Sequence, residues 1–130
     1  MKFDKNFFVK QEFTQESLHR YREAVKRDLE VARTGPSAAV TFHFAYMALL
    51  KIGIYRIARE GYRAKSRPGH HQKIIETLSQ ILDSEEVMVL GDKMRKGRNV
   101  DLYDAGALES PEIIKRYLAF VEKIYQRIDG

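Results

Sequence analysis

The chain has no cysteine among its 130 residues, which excludes a disulfide framework and any thiolate nucleophile or metal ligand. It shows no uninterrupted apolar run near the roughly 18 residues that a membrane span needs, so no membrane partner is expected. Its first ten residues mix Lys2, Asp4 and Lys5 with Phe3, Phe7 and Phe8, unlike the apolar core of a signal peptide. A reducing, cytoplasmic setting is the expectation. No strand-like alternation and no internal repeat stands out. The adjacent His70 and His71 come without an HExxH pattern, and neighbours on a helix do not face one another. No metal site and no cofactor is therefore expected.

What the chain does have is helical periodicity, in one domain spanning 1–130 with residues 1–13 as an arm. In that arm Phe3, Phe7, Phe8 and Phe13 look for a groove. Thr14 is a candidate N-cap for a first helix over about 15–33, with Leu18, Tyr21, Val25, Leu29 and Ala32 inward. Gly35-Pro36 ends it, with Gly35 suited to the C′ position. A second helix runs to about Glu60 and is apolar nearly all round, as in the central helix of a bundle or one at a subunit interface. His43 within it reads as a hydrogen-bonded core or interface histidine. A third helix begins near Pro68 and runs to about Asp83. Ser84-Glu85-Glu86 opens a fourth, over about 85–99, which Asp104-Ala105-Gly106-Ala107 interrupts. Ser110-Pro111-Glu112 starts the last. The expected fold is all-α: an antiparallel helical bundle of four long helices plus one additional helix.

The formal charge of +5 is concentrated in two blocks. Arg56, Arg59, Arg63, Lys65, Arg67 and Lys73 form the first; Lys93, Arg95, Lys96 and Arg98 form the second. Blocks that meet in space make a phosphate-attracting cleft, whereas blocks that stay apart are solvated surface. Arg63, Lys65, Arg67 and His70 are expected to share a cleft with Arg98. Val87, Leu90 and Met94 recur at helical spacing, and the stripe they begin continues to Arg98. A guanidinium on that stripe is either paired with a carboxylate such as Asp101 or Asp104, or put to use. Tyr46 is a candidate to bring its hydroxyl near Arg98.

Three motifs in this order resemble those of a HEPN domain (higher eukaryotes and prokaryotes nucleotide-binding), in its stand-alone bacterial and archaeal branch. They are Gly61-Tyr62-Arg63 at the exit of the central helix, Gly69-His70-His71, and Arg98-Asn99 followed by Tyr103-Asp104. The resemblance covers most of the chain. It implies nucleotide or RNA binding, or partnership with a minimal nucleotidyltransferase in a toxin–antitoxin-like pair. It also implies symmetric dimers that bring two motifs together, hence a homodimer or a dimer of dimers. The alternatives are a metal-independent endoribonuclease and a structural dimer without catalysis. The family's ribonuclease motif is Arg, a polar residue, a short spacer and His. Arg98 and Asn99 match its first half, and Tyr103 stands where the His is expected. These three are the candidate catalytic residues. Arg63, Lys65, Arg67, His70, His71, Arg95 and Asp104 are the candidate nucleotide or RNA ligands. A phenol with a pKa near 10 is a poor base at neutral pH, which ranks binding above cleavage. Residues five apart on a regular helix point about 140° apart, so Arg98 and Tyr103 can share a site only if the helix breaks or a second copy completes it.

Overall fold

Short hydroxyl side chains cap the starts of four of the five helices. Thr14 accepts a hydrogen bond from the Ser17 N–H at 3.0 Å, Ser37 from Val40 at 3.2 Å, Ser84 from Val87 at 3.4 Å and Ser110 from Ile113 at 3.3 Å. Each satisfies one of the donors that a helix start leaves open, typically worth ~1 kcal/mol. The resulting elements are α1 (Gln15–Thr34), α2 (Ala38–Arg59), α3 (His70–Leu82), α4 (Glu85–Tyr103) and α5 (Pro111–Tyr125). The computed structural model describes residues 1–103 and 109–130, with side chains for 1–99 and 109–130. The fold is all-α apart from one small sheet.

α2 is the central element, packed by α1, α3, α4 and α5. Ala45, Tyr46, Ala48, Leu49 and Ile52 are wholly enclosed, which accounts for a helix that is apolar on nearly every side. α2 is also long and apolar enough to cross a membrane by length and composition, with half of the most apolar stretch buried inside the fold. His43, Lys51 and Arg56 interrupt the helix, so no uninterrupted apolar run in it reaches that length. His43 itself is exposed, its ring edge-on to Phe44 at 5.0 Å, so it is not a core histidine.

Two glycines let three helices approach closely. A Cβ on Gly53 of α2 would stand 2.5 Å from Ile74 Cγ2 of α3. A Cβ on Gly91 of α4 would stand 2.6 Å from Ile75 Cγ2, also of α3. Contacts that short do not occur, so α2, α3 and α4 meet at this spacing only because side chains are missing there. Gly35 departs from its expected role. Its φ of −59° is not left-handed. It is wanted for space, since a Cβ would meet Thr41 Oγ1 and Val40 Cγ1 at 3.1 Å.

Two expectations about local structure need correcting. The arm contains a strand, β1 (Phe8–Lys10), paired antiparallel with β2 (Tyr62–Ala64) in the register Phe8↔Ala64 and Lys10↔Tyr62. Three-residue strands are too short to show alternation, and their pairing joins segments over fifty positions apart. The arm is thereby tied down: Phe8 is 4% exposed, and Phe3 stacks on Tyr62 with ring centroids 4.1 Å apart. The second correction concerns α4, which continues through Asn99 to Tyr103 without the expected stop. The expected interruption at Asp104–Ala107 lies outside the described residues.

Candidate functional site

Three elements converge at one end of the α2–α3–α4 contact. The connection after β2 carries Arg67, the start of α3 carries His70 and His71, and α4 carries Arg95, Arg98 and Asn99. Together they line a cleft of about 490 Å³. Helical spacing places Arg95 and Arg98, three residues apart, on the same face of α4. The Gly91 contact brings that face against α3.

The floor behind these residues is Tyr46, enclosed in α2. The Arg98 guanidinium lies 5.7 Å from the centre of its ring, a cation–π arrangement. The Tyr46 hydroxyl lies 3.3 Å from His71 Nδ1. Burial pushes the Tyr46 phenol up to about 12, against the opposing pull of Arg98 and Arg95. Burial pushes His71 the other way, below its ordinary value, helped by His70, Arg98 and Arg95. His70 and His71 stand edge to face with ring centroids 4.5 Å apart. His70 Nδ1 is 2.7 Å from the Arg67 carbonyl oxygen.

The cleft is strongly cationic but not uniformly so. Asp92 takes Arg95 at 2.9 Å and Lys96 at 3.1 Å, and its carboxyl is held below the usual range chiefly by the Arg95 hydrogen bond. Arg67 is anchored by its Nη1 donating to the Asn6 carbonyl at 2.7 Å and by its guanidinium lying 4.9 Å from the Phe7 ring centre. Gly69, at φ +84°, occupies the N-cap of α3 and has no side chain to cap it. The positive end of α3 therefore adds to the field in the cleft.

The structure separates the candidate residues into groups. Arg67, His70, His71, Arg95, Arg98 and Asn99 share the cleft. Arg63 and Lys65 do not line it: Arg63 Nε donates to Gln11 Oε1 at 2.9 Å, and Lys65 Nζ donates to the Lys5 carbonyl at 2.8 Å. Their alternation on an extended strand edge turns them towards the arm, which corrects the expected sharing of one cleft by all four residues. Asp104 and the side chains of Asp101 and Tyr103 lie outside the described residues. The α4 backbone is helical from Arg98 through Tyr103, so no helix break brings the two to one face. Among the described residues no group of three or more His, Cys, Asp or Glu is arranged to hold a metal ion.

Spacing along the sequence gives no sign that the N-terminal arm supports Arg67, yet Arg67 and Lys73 lie 4.9 and 5.4 Å from the centre of the Phe7 ring. The chain matches no protein-family model, no curated protein and no solved structure.

Proposed function

We propose that this chain is a HEPN-like protein that binds single-stranded RNA or a nucleotide in the Arg67–His70–Arg98 cleft, on an antiparallel bundle of four long helices plus one. One observation carries the reading: the Gly-His-His and Arg-Asn segments, separated by some thirty residues, line a single cationic cleft of about 490 Å³. A pocket of several hundred Å³ suits a ligand of nucleotide size. Arginine forks match phosphate oxygens in pairs, the Asn99 amide offers both donor and acceptor to a base edge, and the imidazoles offer faces for stacking. A second copy belongs to the same reading. α4 continues unbroken from Arg98 to Tyr103, so within one copy the two positions lie on different faces of the helix, and this supports a homodimer or a dimer of dimers as part of the reading.

A binding titration with fluorescent single-stranded RNA at several salt concentrations tests it. Three arginines on phosphates give a log–log salt slope of about −2, so affinity falls roughly 16-fold between 50 and 200 mM salt. Arg67→Ala combined with Arg98→Ala should flatten the slope. Arg20→Ala, on the exposed face of α1, should leave it unchanged. A flat salt dependence in the parent protein overturns the reading.

A further inference from the structure

Arg67 reaches the cleft from the connection between β2 and α3, where no regular element of its own holds it. What holds it comes from the N-terminal arm. Asp4 closes a turn there: its carbonyl accepts from the Phe7 and Phe8 N–H groups at 3.0 and 2.9 Å, and its carboxylate from the Asn6 N–H at 2.8 Å. Arg67 Nη1 donates to the Asn6 carbonyl of that turn at 2.7 Å, with the guanidinium 4.9 Å from the Phe7 ring centre. The turn grips the connection on either side of Arg67 as well. The Phe7 carbonyl accepts from the Lys65 N–H at 2.6 Å, and a Cβ on Gly69 would lie 4.0 Å from Phe7 Cε1.

Both groups that hold Arg67 are neutral. Among the described residues no carboxylate stands within ion-pairing distance of it, whereas Arg95 is held by the Asp92 carboxylate at 2.9 Å. A carboxylate fixes a guanidinium and offsets its charge. A carbonyl and an aromatic ring fix it and leave the charge to act in the cleft. The Asn6 contact uses one of five N–H donors and the ring takes one face, so the rest of the fork stays open to an anion. Support and ligand do not compete for the same atoms.

We propose that Phe7 is a positioning residue of the cleft: the docked arm orders Arg67 for an anionic ligand, and a ligand held by Arg67 in turn stabilises the docked arm. This rests on RNA or a nucleotide occupying the cleft as described above. Linkage makes the two effects reciprocal and, without competition, of the same sign. Ordering one long side chain before binding is worth roughly 2- to 12-fold in affinity.

The test is titration of the full chain with a short fluorescein-labelled oligouridine at low salt, with amide hydrogen exchange measured on the free and saturated protein. Phe7→Leu keeps apolar bulk and removes the ring face. It should weaken binding roughly 2- to 12-fold, and by less than about 1.5-fold where Arg67 is already alanine. Phe7→Tyr, which keeps a ring face, should bind like the parent. Phe3→Leu alters a ring of the same arm that stacks on Tyr62, and should leave affinity within about twofold. The Lys65 N–H should exchange more slowly in the saturated protein, and this added protection should be absent in saturated Arg67→Ala. A Phe7→Leu loss that persists undiminished in Arg67→Ala, or that Phe3→Leu reproduces, overturns Phe7 as a positioning residue and leaves the binding site standing. Should Phe7→Leu fold poorly, the exchange measurement decides without it: an unchanged Lys65 rate at saturation overturns the proposal. Absence of RNA binding in the parent protein overturns the site and the proposal together.

Discussion

Arg98→Ala separates a functional arginine from a structural one by magnitude. The Arg98 side chain is half-buried, and its described contact is the Tyr46 ring at 5.7 Å. Losing a cation–π contact of that kind costs about 0.5–1 kcal/mol. Alanine recovers about 0.2 kcal/mol through its higher helix propensity. The net loss should stay below ~1 kcal/mol, a fall in Tm of roughly 3–5 °C for a chain of this length. A buried ion pair broken at this position would instead cost about 3–5 kcal/mol. RNA binding should respond more strongly. A charge-assisted phosphate contact is worth about 1.5–3 kcal/mol, so affinity should fall roughly 10- to 150-fold. The salt slope should become shallower by about 0.7, one phosphate contact on a single strand. Urea unfolding and RNA titration at four salt concentrations measure all three quantities. Stability lost by several kcal/mol, or affinity and slope both unchanged, would refute the placement of Arg98 in a binding site.

Gly91→Ala should destabilise by up to ~2 kcal/mol, because overpacking costs about 1–3 kcal/mol against up to ~1 kcal/mol of helix propensity gained. The new methyl would meet Ile75 Cγ2 at 2.6 Å, on a stiff, β-branched side chain that is 1% exposed. A urea midpoint higher than the parent's sinks that reasoning. Phe8→Ala removes a ring that is 4% exposed and should cost about 3–5 kcal/mol, with weakened RNA binding as the Arg67 connection loosens. A loss under ~1 kcal/mol would show that the arm is not part of the core. His71 is held below its ordinary pKa in the fold, chiefly by burial, so as pH drops through about 6.5 the unfolded chain takes up the proton first. Stability should therefore decline from pH 7 to 5.5, and His71→Gln should flatten that decline. Thermal melts across this range that are parallel for the two proteins would count against it.

Local chemistry was readable without a structure wherever a few neighbouring residues decide the outcome. Thr14, Ser37, Ser84 and Ser110 cap helices because each hydroxyl meets an N–H three residues on, within its own segment. The inner faces of α1, α3 and α5 follow from apolar spacing, and Val25, Leu29, Ile75, Leu78, Ile114 and Val121 are all buried. The apolar composition of α2 pointed to a central helix or one at a subunit interface, and the packing of α1, α3, α4 and α5 against it makes it central. Distance along the chain marks where this legibility ends. The β1–β2 pairing, with Val9 opposite Arg63, depends on the arm folding back across the exit of α2. That same pairing turns Arg63 and Lys65 to the arm, while Arg67, two residues further on, reaches the cleft; charge alone does not distinguish the three. Gly53 and Gly91 look like weak points in their helices until the facing isoleucines are known. The surroundings of His71 belong to the tertiary structure most completely: the Tyr46 hydroxyl that meets it sits 25 residues away, on another helix.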